Sequence, residues 1–118
     1  MANIIVIRDA EAAWTDVSPE WKAKGKPDNP GLRFKRLLPQ AAGLPNMQRT
    51  HYEPGHIEYP HSHPEAEILY ILGGSLSFGR EQLGAGDALY IAADTTYSLI
   101  AGDQGTDFLR VGLSDVKG

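Results

Sequence analysis

Three side chains of metal-ligating type, His61, His63 and Glu67, stand close together in the chain. On an extended strand, residues i and i+2 point to the same face, so His61 and His63 face one way together. Glu67 follows His63 by four positions, after a bend at Pro64, and can return to that face on the next strand segment. Two imidazoles and a carboxylate on one wall make a facial set that suits Fe(II), Mn(II), Co(II), Ni(II) or Zn(II). The remaining coordination positions stay free for water or substrate. Taken alone, the same His-Ser-His-Pro-Glu stretch is also an ordinary polar surface loop.

These residues need strands to hold them, and the sequence is punctuated accordingly. Thirteen glycines and eight prolines separate short apolar runs, a spacing that predicts many short strands joined by turns. Residues 3–8 read as an opening β-branched strand and 10–14 as a helical turn. Further strands are expected at 32–38, 46–53, 66–72, 75–79, 88–92, 96–101 and 106–113, with Gly73-Gly74 turning the strongest of them. About eight short strands with almost no helix point to an all-β barrel or sandwich. Leu69 and Ile71 follow Glu67 at period two and should line the interior beside it. Residues 15–31, with Pro19, Gly25, Pro27, Pro30 and Gly31, read as an irregular loop: either a lid or a strap pinned by Trp14 and Trp21.

The flanking glycines sharpen the reading. Gly55, five residues, His61, one residue, His63, three residues, Glu67, six residues, Gly74 reproduces the first cupin motif in every interval. A second stretch resembles the other cupin motif in spacing alone. Gly86-Asp87 opens it, Ala92 stands at the usual Pro, Asp94 at the usual Gly, Tyr97 at the usual His and Ala101 at the usual Asn. The two stretches cover residues 55–101 of a chain read as a single domain, 1–118. The resemblance implies a jelly-roll β-barrel, a homodimer, and one divalent transition metal inside the barrel. Tyr97 is the departure, because the fourth ligand of the family is a His. Three roles are open to it: a phenolate ligand, an unligated acid or base beside a substrate, or a buried aromatic that only fills the wall.

The other candidates are weaker. Arg49 and His51 share a strand face, and Gln48, Thr50 and Tyr52 share the alternate one; either face could line the pocket. His56, following Gly55 in a turn, is expected at the surface. Glu53 and Glu58 lie near the motif without ligand spacing. Gly74, Gly86 and Gly102 read as turn glycines.

Composition bounds the rest. The 118 residues suffice for one core. With 11 Lys and Arg against 15 Asp and Glu, the net charge of −4 argues against a nucleic-acid partner. No apolar run is long enough to span a membrane. The run Ile4–Ile7 is too short for a secretory signal, and the chain has no Cys, so a cytoplasmic location is expected. The expected function is a small metalloenzyme of dioxygenase, isomerase or lyase type, with Fe, Mn, Zn, Ni or Co as cofactor and a small oxygen-bearing organic substrate. The alternatives are a ligand-binding or sensing module without turnover, and a structural dimer that has lost its metal.

Overall fold

Glycine placement governs how the strands bend in the computed structural model, which describes residues 4–15, 31–38 and 43–113. Among the described residues there are seven strands: β1 (Leu32–Arg36), β2 (Asn46–Tyr52), β3 (Ile57–His61), β4 (Ala66–Phe78), β5 (Glu81–Gly84), β6 (Ala88–Ile91) and β7 (Tyr97–Leu113). All pair antiparallel in the order β1-β2-β7-β4-β5, with β3 also on β7 and β6 also on β4. The sheet folds over into the expected all-β jelly-roll barrel.

Alternation sets the two faces. Along β4, Glu67, Leu69 and Ile71 are buried while Ile68, Tyr70 and Leu72 are exposed. Leu69, Ile71, Leu76 and Leu99 are each at most 1% exposed, and with Phe108 and Ile91 they form the core. Each such side chain contributes about 1.5–3 kcal/mol of burial free energy.

Two long strands replace four expected short ones. Gly73-Gly74 does not turn the chain: β4 runs on to Phe78, and the reversal comes at Gly79. Opposite it, β7 carries residues 97 to 113 without a break. The β4–β7 register shifts between Ile71 and Gly73 and again between Gly74 and Leu76, so these glycines mark a bulged corner rather than a hairpin. Gly74 has φ +73°, and a Cβ there would overlap the carbonyl oxygen of Gly105. Gly102 does not adopt positive φ. It is small because a Cβ would run into Ser75 Oγ.

The N-terminal expectation also changes. Residues 4–8 form no strand, and Ile4 and Val6 are 82% and 71% exposed, since no edge among the described residues pairs with them. The expected helical turn is a 3-10 turn at Asp9–Glu11. Beyond it, Thr15 bridges to Phe34, and Trp14 lies among three cations: Lys35 Nζ at 4.9 Å, Arg49 at 5.6 Å and Arg33 at 5.8 Å from its ring centre. Trp14 thus pins its segment to the outer face of β1 and β2. Trp21 and most of the 15–31 loop lie outside the described residues.

A Gly74→Ala variant combines an unfavourable φ with overlap at the corner. It is expected to lose about 1–3 kcal/mol of stability, read as a lower denaturation midpoint, whereas Gly79→Ala, where a Cβ meets nothing within 4 Å, should lose less.

Candidate functional site

His61 closes β3 directly across from Tyr97, the first residue of β7. That register stacks their rings 4.5 Å apart, centre to centre. His63 follows in the loop beyond β3, with its ring 4.9 Å from His61 and 6.2 Å from Tyr97. The loop is held because the backbone N–H of Asp94 donates to the carbonyl of His63 at 2.7 Å. Asp94 has φ +57°, a conformation that suits a short polar side chain such as Asp after Gly.

The two imidazoles are held in different ways. His61 Nδ1 lies 2.8 Å from the carbonyl oxygen of Tyr59. A carbonyl can only accept, so Nδ1 carries a hydrogen and donates it to that carbonyl. Burial holds the pKa of His63 below the ordinary imidazole value, against the opposing pull of Glu67. His63 therefore stays neutral at neutral pH.

Glu67, on β4, is 1% exposed, and both its oxygens are occupied. The Tyr97 hydroxyl donates to Oε1, and Arg110 Nε donates to Oε2. Arg110 also donates through Nη2 to Glu65 Oε1 at 2.9 Å. Gly112 stands directly across from Glu67, and a Cβ there would meet Glu65 Oε1 at 2.6 Å. The glycine leaves Glu65 room to fold back onto Arg110.

These contacts fix the protonation states. Burial pushes the Tyr97 phenol well above its ordinary range, and the hydrogen bond to the Glu67 carboxylate and its charge add to that. Tyr97 is thus a protonated donor. Burial works against the charge on Arg110, but Glu67 and Glu65 more than offset it, so the guanidinium stays charged.

A cavity of about 290 Å³ opens over this cluster, and His61, His63, Tyr97, Arg110 and Glu65 line it together with Leu69. Glu67 does not line the cavity; its carboxylate is covered by Tyr97 and Arg110. The inward face of β2 is the Gln48, Thr50 and Tyr52 face. Arg49 and His51 belong to the outer face, where Arg49 binds Asp107 and Asp9 and His51 sits 3.6 Å from Glu53. His56 is not at the surface as expected: its side chain is 6% exposed, against Tyr52 and 3.2 Å from Glu58 Oε2.

The structure gathers all four predicted site residues, though not as a set of ligands. Among the described residues, no three His, Cys, Asp or Glu side chains converge on one ion, because the Glu67 oxygens turn to Tyr97 and Arg110. By donor type the site still fits a divalent transition ion: two imidazoles that line the cavity stand beside a buried carboxylate. Glu65 and Glu67 also share a single guanidinium, which leaves this cluster more negative than positive. Sequence reasoning missed Arg110 and Glu65. The one signal for Arg110 was its place two residues after Phe108 and two before Gly112, on the inward face of a strand.

A sequence profile of the cupin domain matches residues 48–109, more than half of the chain. The chain belongs to the cupin family. Solved cupin-fold structures agree in architecture. KdgF from Halomonas sp. superposes with TM-score 0.71 at 18% identity, covering 96% of each chain. The polyketide cyclase RemF from Streptomyces resistomycificus gives 0.73 at 19%, over 92% of this cupin and 78% of RemF. A protein from Thermotoga maritima described as a predicted oxalate decarboxylase gives 0.67 at 24%, over 92% and 97%. At these identities the likeness is one of fold. No curated protein matches this cupin. Among the described residues, no helix is long and apolar enough to cross a membrane.

Replacing Tyr97 by Phe leaves Glu67 Oε1 buried without its donor, so the variant should lose about 1–3 kcal/mol of stability. The parent should also weaken in alkali. A phenol whose folded pKa is raised contributes its full stability below the unfolded pKa of about 10, and that contribution is lost as pH rises beyond it. Denaturation midpoints between pH 8 and 11 should fall less in Tyr97→Phe than in the parent, with the residual fall due to Tyr52, whose phenol burial also raises.

Proposed function

We propose that this cupin is a small metalloenzyme holding one divalent transition metal (Fe, Mn, Zn, Ni or Co) on His61, His63 and Glu67, with a small oxygen-bearing organic substrate in the cavity. The observation that carries the reading is the pair of cavity-lining imidazoles beside a buried carboxylate, in a cluster where two carboxylates share one guanidinium. When bound, the metal would supply Lewis acidity or an O2-binding centre. The chain's own residues supply the rest. Tyr97 holds a proton on its hydroxyl oxygen at the cavity wall; with Glu67 turned to a metal, that hydrogen would leave Oε1 and could be donated to a substrate oxygen, which makes Tyr97 the candidate catalytic acid. It is also the candidate fourth ligand should its proton be lost to a cation. Leu69, Leu99 and Phe108 make the inner wall apolar, while Gln48 and Thr50 offer hydrogen bonds that orient a polar ligand. Dioxygenase chemistry would need a redox metal; isomerase or lyase chemistry would draw on Tyr97 as proton carrier.

The closed state of Glu67 favours a second reading, a cupin that binds or senses a small ligand without turning it over. Elemental analysis separates the two, on tag-free protein purified without added metal beside a His61→Ala/His63→Ala variant. Close to one equivalent of a transition metal in the parent, lost in the variant, is expected. No metal in either, even after reloading with Fe, Mn, Co, Ni and Zn, would overturn the metalloenzyme reading in favour of the binding module.

The homodimer belongs to the same proposal. Ile68, Tyr70 and Leu72 on β4, with Tyr90 across from Ile68, present an exposed apolar strip 38–60% accessible. Light scattering should give twice the chain mass, and a single chain mass would remove the dimer.

A further inference from the structure

Arg110 is the feature that the metal reading leaves unexplained. A metal-binding carboxylate needs its oxygens, yet one of the two on Glu67 accepts from the Arg110 guanidinium, and both groups are almost fully buried. A permanent cation at that distance repels an incoming ion and competes for the same lone pairs. Arg110 has a second anchor, however. Its Nη2 is bound to Glu65 Oε1, and Glu65, like Arg110 itself, lines the cavity. The guanidinium can therefore give up Glu67 and keep a carboxylate partner. Glu67, conversely, has no other cationic partner among the described residues, so it depends on Arg110 for charge compensation until another cation arrives. A carboxylate left buried without one is costly.

We infer that Arg110 is a resident counter-cation for Glu67, which an incoming metal must displace and which then stays in the cavity on Glu65. It is a positioning residue that acts through Glu67. The inference rests on the proposed metal reading and adds a direction to it: Arg110 stabilises the metal-free protein and weakens metal binding. A purely structural arginine, needed to aim Glu67 at the metal, would have the opposite effect on affinity.

The test uses the full-length chain, stripped of metal, with Co2+ alone as the probe, because its visible spectrum reports the number and type of ligands. Arg110→Met should lower the metal-free denaturation midpoint and tighten Co2+ binding by about tenfold or more, the size expected from removing one close like charge. The rise in midpoint on adding Co2+ should be larger in this variant than in the parent. Arg110→Lys keeps the charge without the two-pronged grip and should bind Co2+ with intermediate affinity; it serves if the Met variant does not fold. Binding of Co2+ by the parent, but equal or weaker binding by the variants, would overturn the role of Arg110 and leave the metal site standing. Absence of binding in the parent and both variants would overturn the metal reading, and this inference with it.

Discussion

The buried carboxylate of Glu67 is the constraint around which the site is built. At 1% exposure it cannot be solvated by bulk water, and an ionised carboxylate in such a place must be matched by donors and by charge. Tyr97 and Arg110 provide both. They come from opposite ends of the same strand, β7, and reach one side chain because that strand bends at its glycine-rich middle. The bend is shared with β4, where a Cβ on Gly74 would overlap the Gly105 carbonyl, while a Cβ on Gly105 would meet the Tyr52 carbonyl of β2. The packing of two glycines thus decides where a carboxylate finds its partners some tens of residues away.

That arrangement links fold to chemistry. A hydrogen-bonded ion pair holds the wall of the cavity rigid and keeps Tyr97 protonated. Tyr97 in turn packs against His61, whose ring is oriented by a backbone carbonyl on its far side. Each group is positioned by the next, so the His61 ring meets the cavity with its Nδ1 turned to the Tyr59 carbonyl. The outer face of the sheet is stabilised separately, by Trp14 among three cations and by Arg49 bound to Asp107 and Asp9. These contacts fasten the N-terminal segment and take no part in the cavity.

The site also shows why a ligand motif and a metal centre are different things. The motif fixes which side chains share a wall. Whether their lone pairs point to a common place depends on what else competes for them, and here a guanidinium and a phenol do so.

The sequence by itself determined the family, the all-β architecture and the clustering of His61, His63, Glu67 and Tyr97, because motif spacing and strand alternation are local and survive any detail of packing. It also separated the two faces of β2, although it could not say which one turned inward. It misjudged what depends on distant neighbours. Gly73-Gly74 carries the signal of a turn, and only the antiparallel partner β7 turns it into a corner. His56 carries the signal of an exposed turn residue, and its packing against Tyr52, Glu58 and Gly31 buries it. Ile4–Ile7 has the composition of a strand but pairs with no edge among the described residues. Above all, Arg110 stands 43 residues from Glu67, outside both motifs. Charge compensation of a buried group is a property of the folded interior, so tertiary structure alone decided that this arginine belongs to the site.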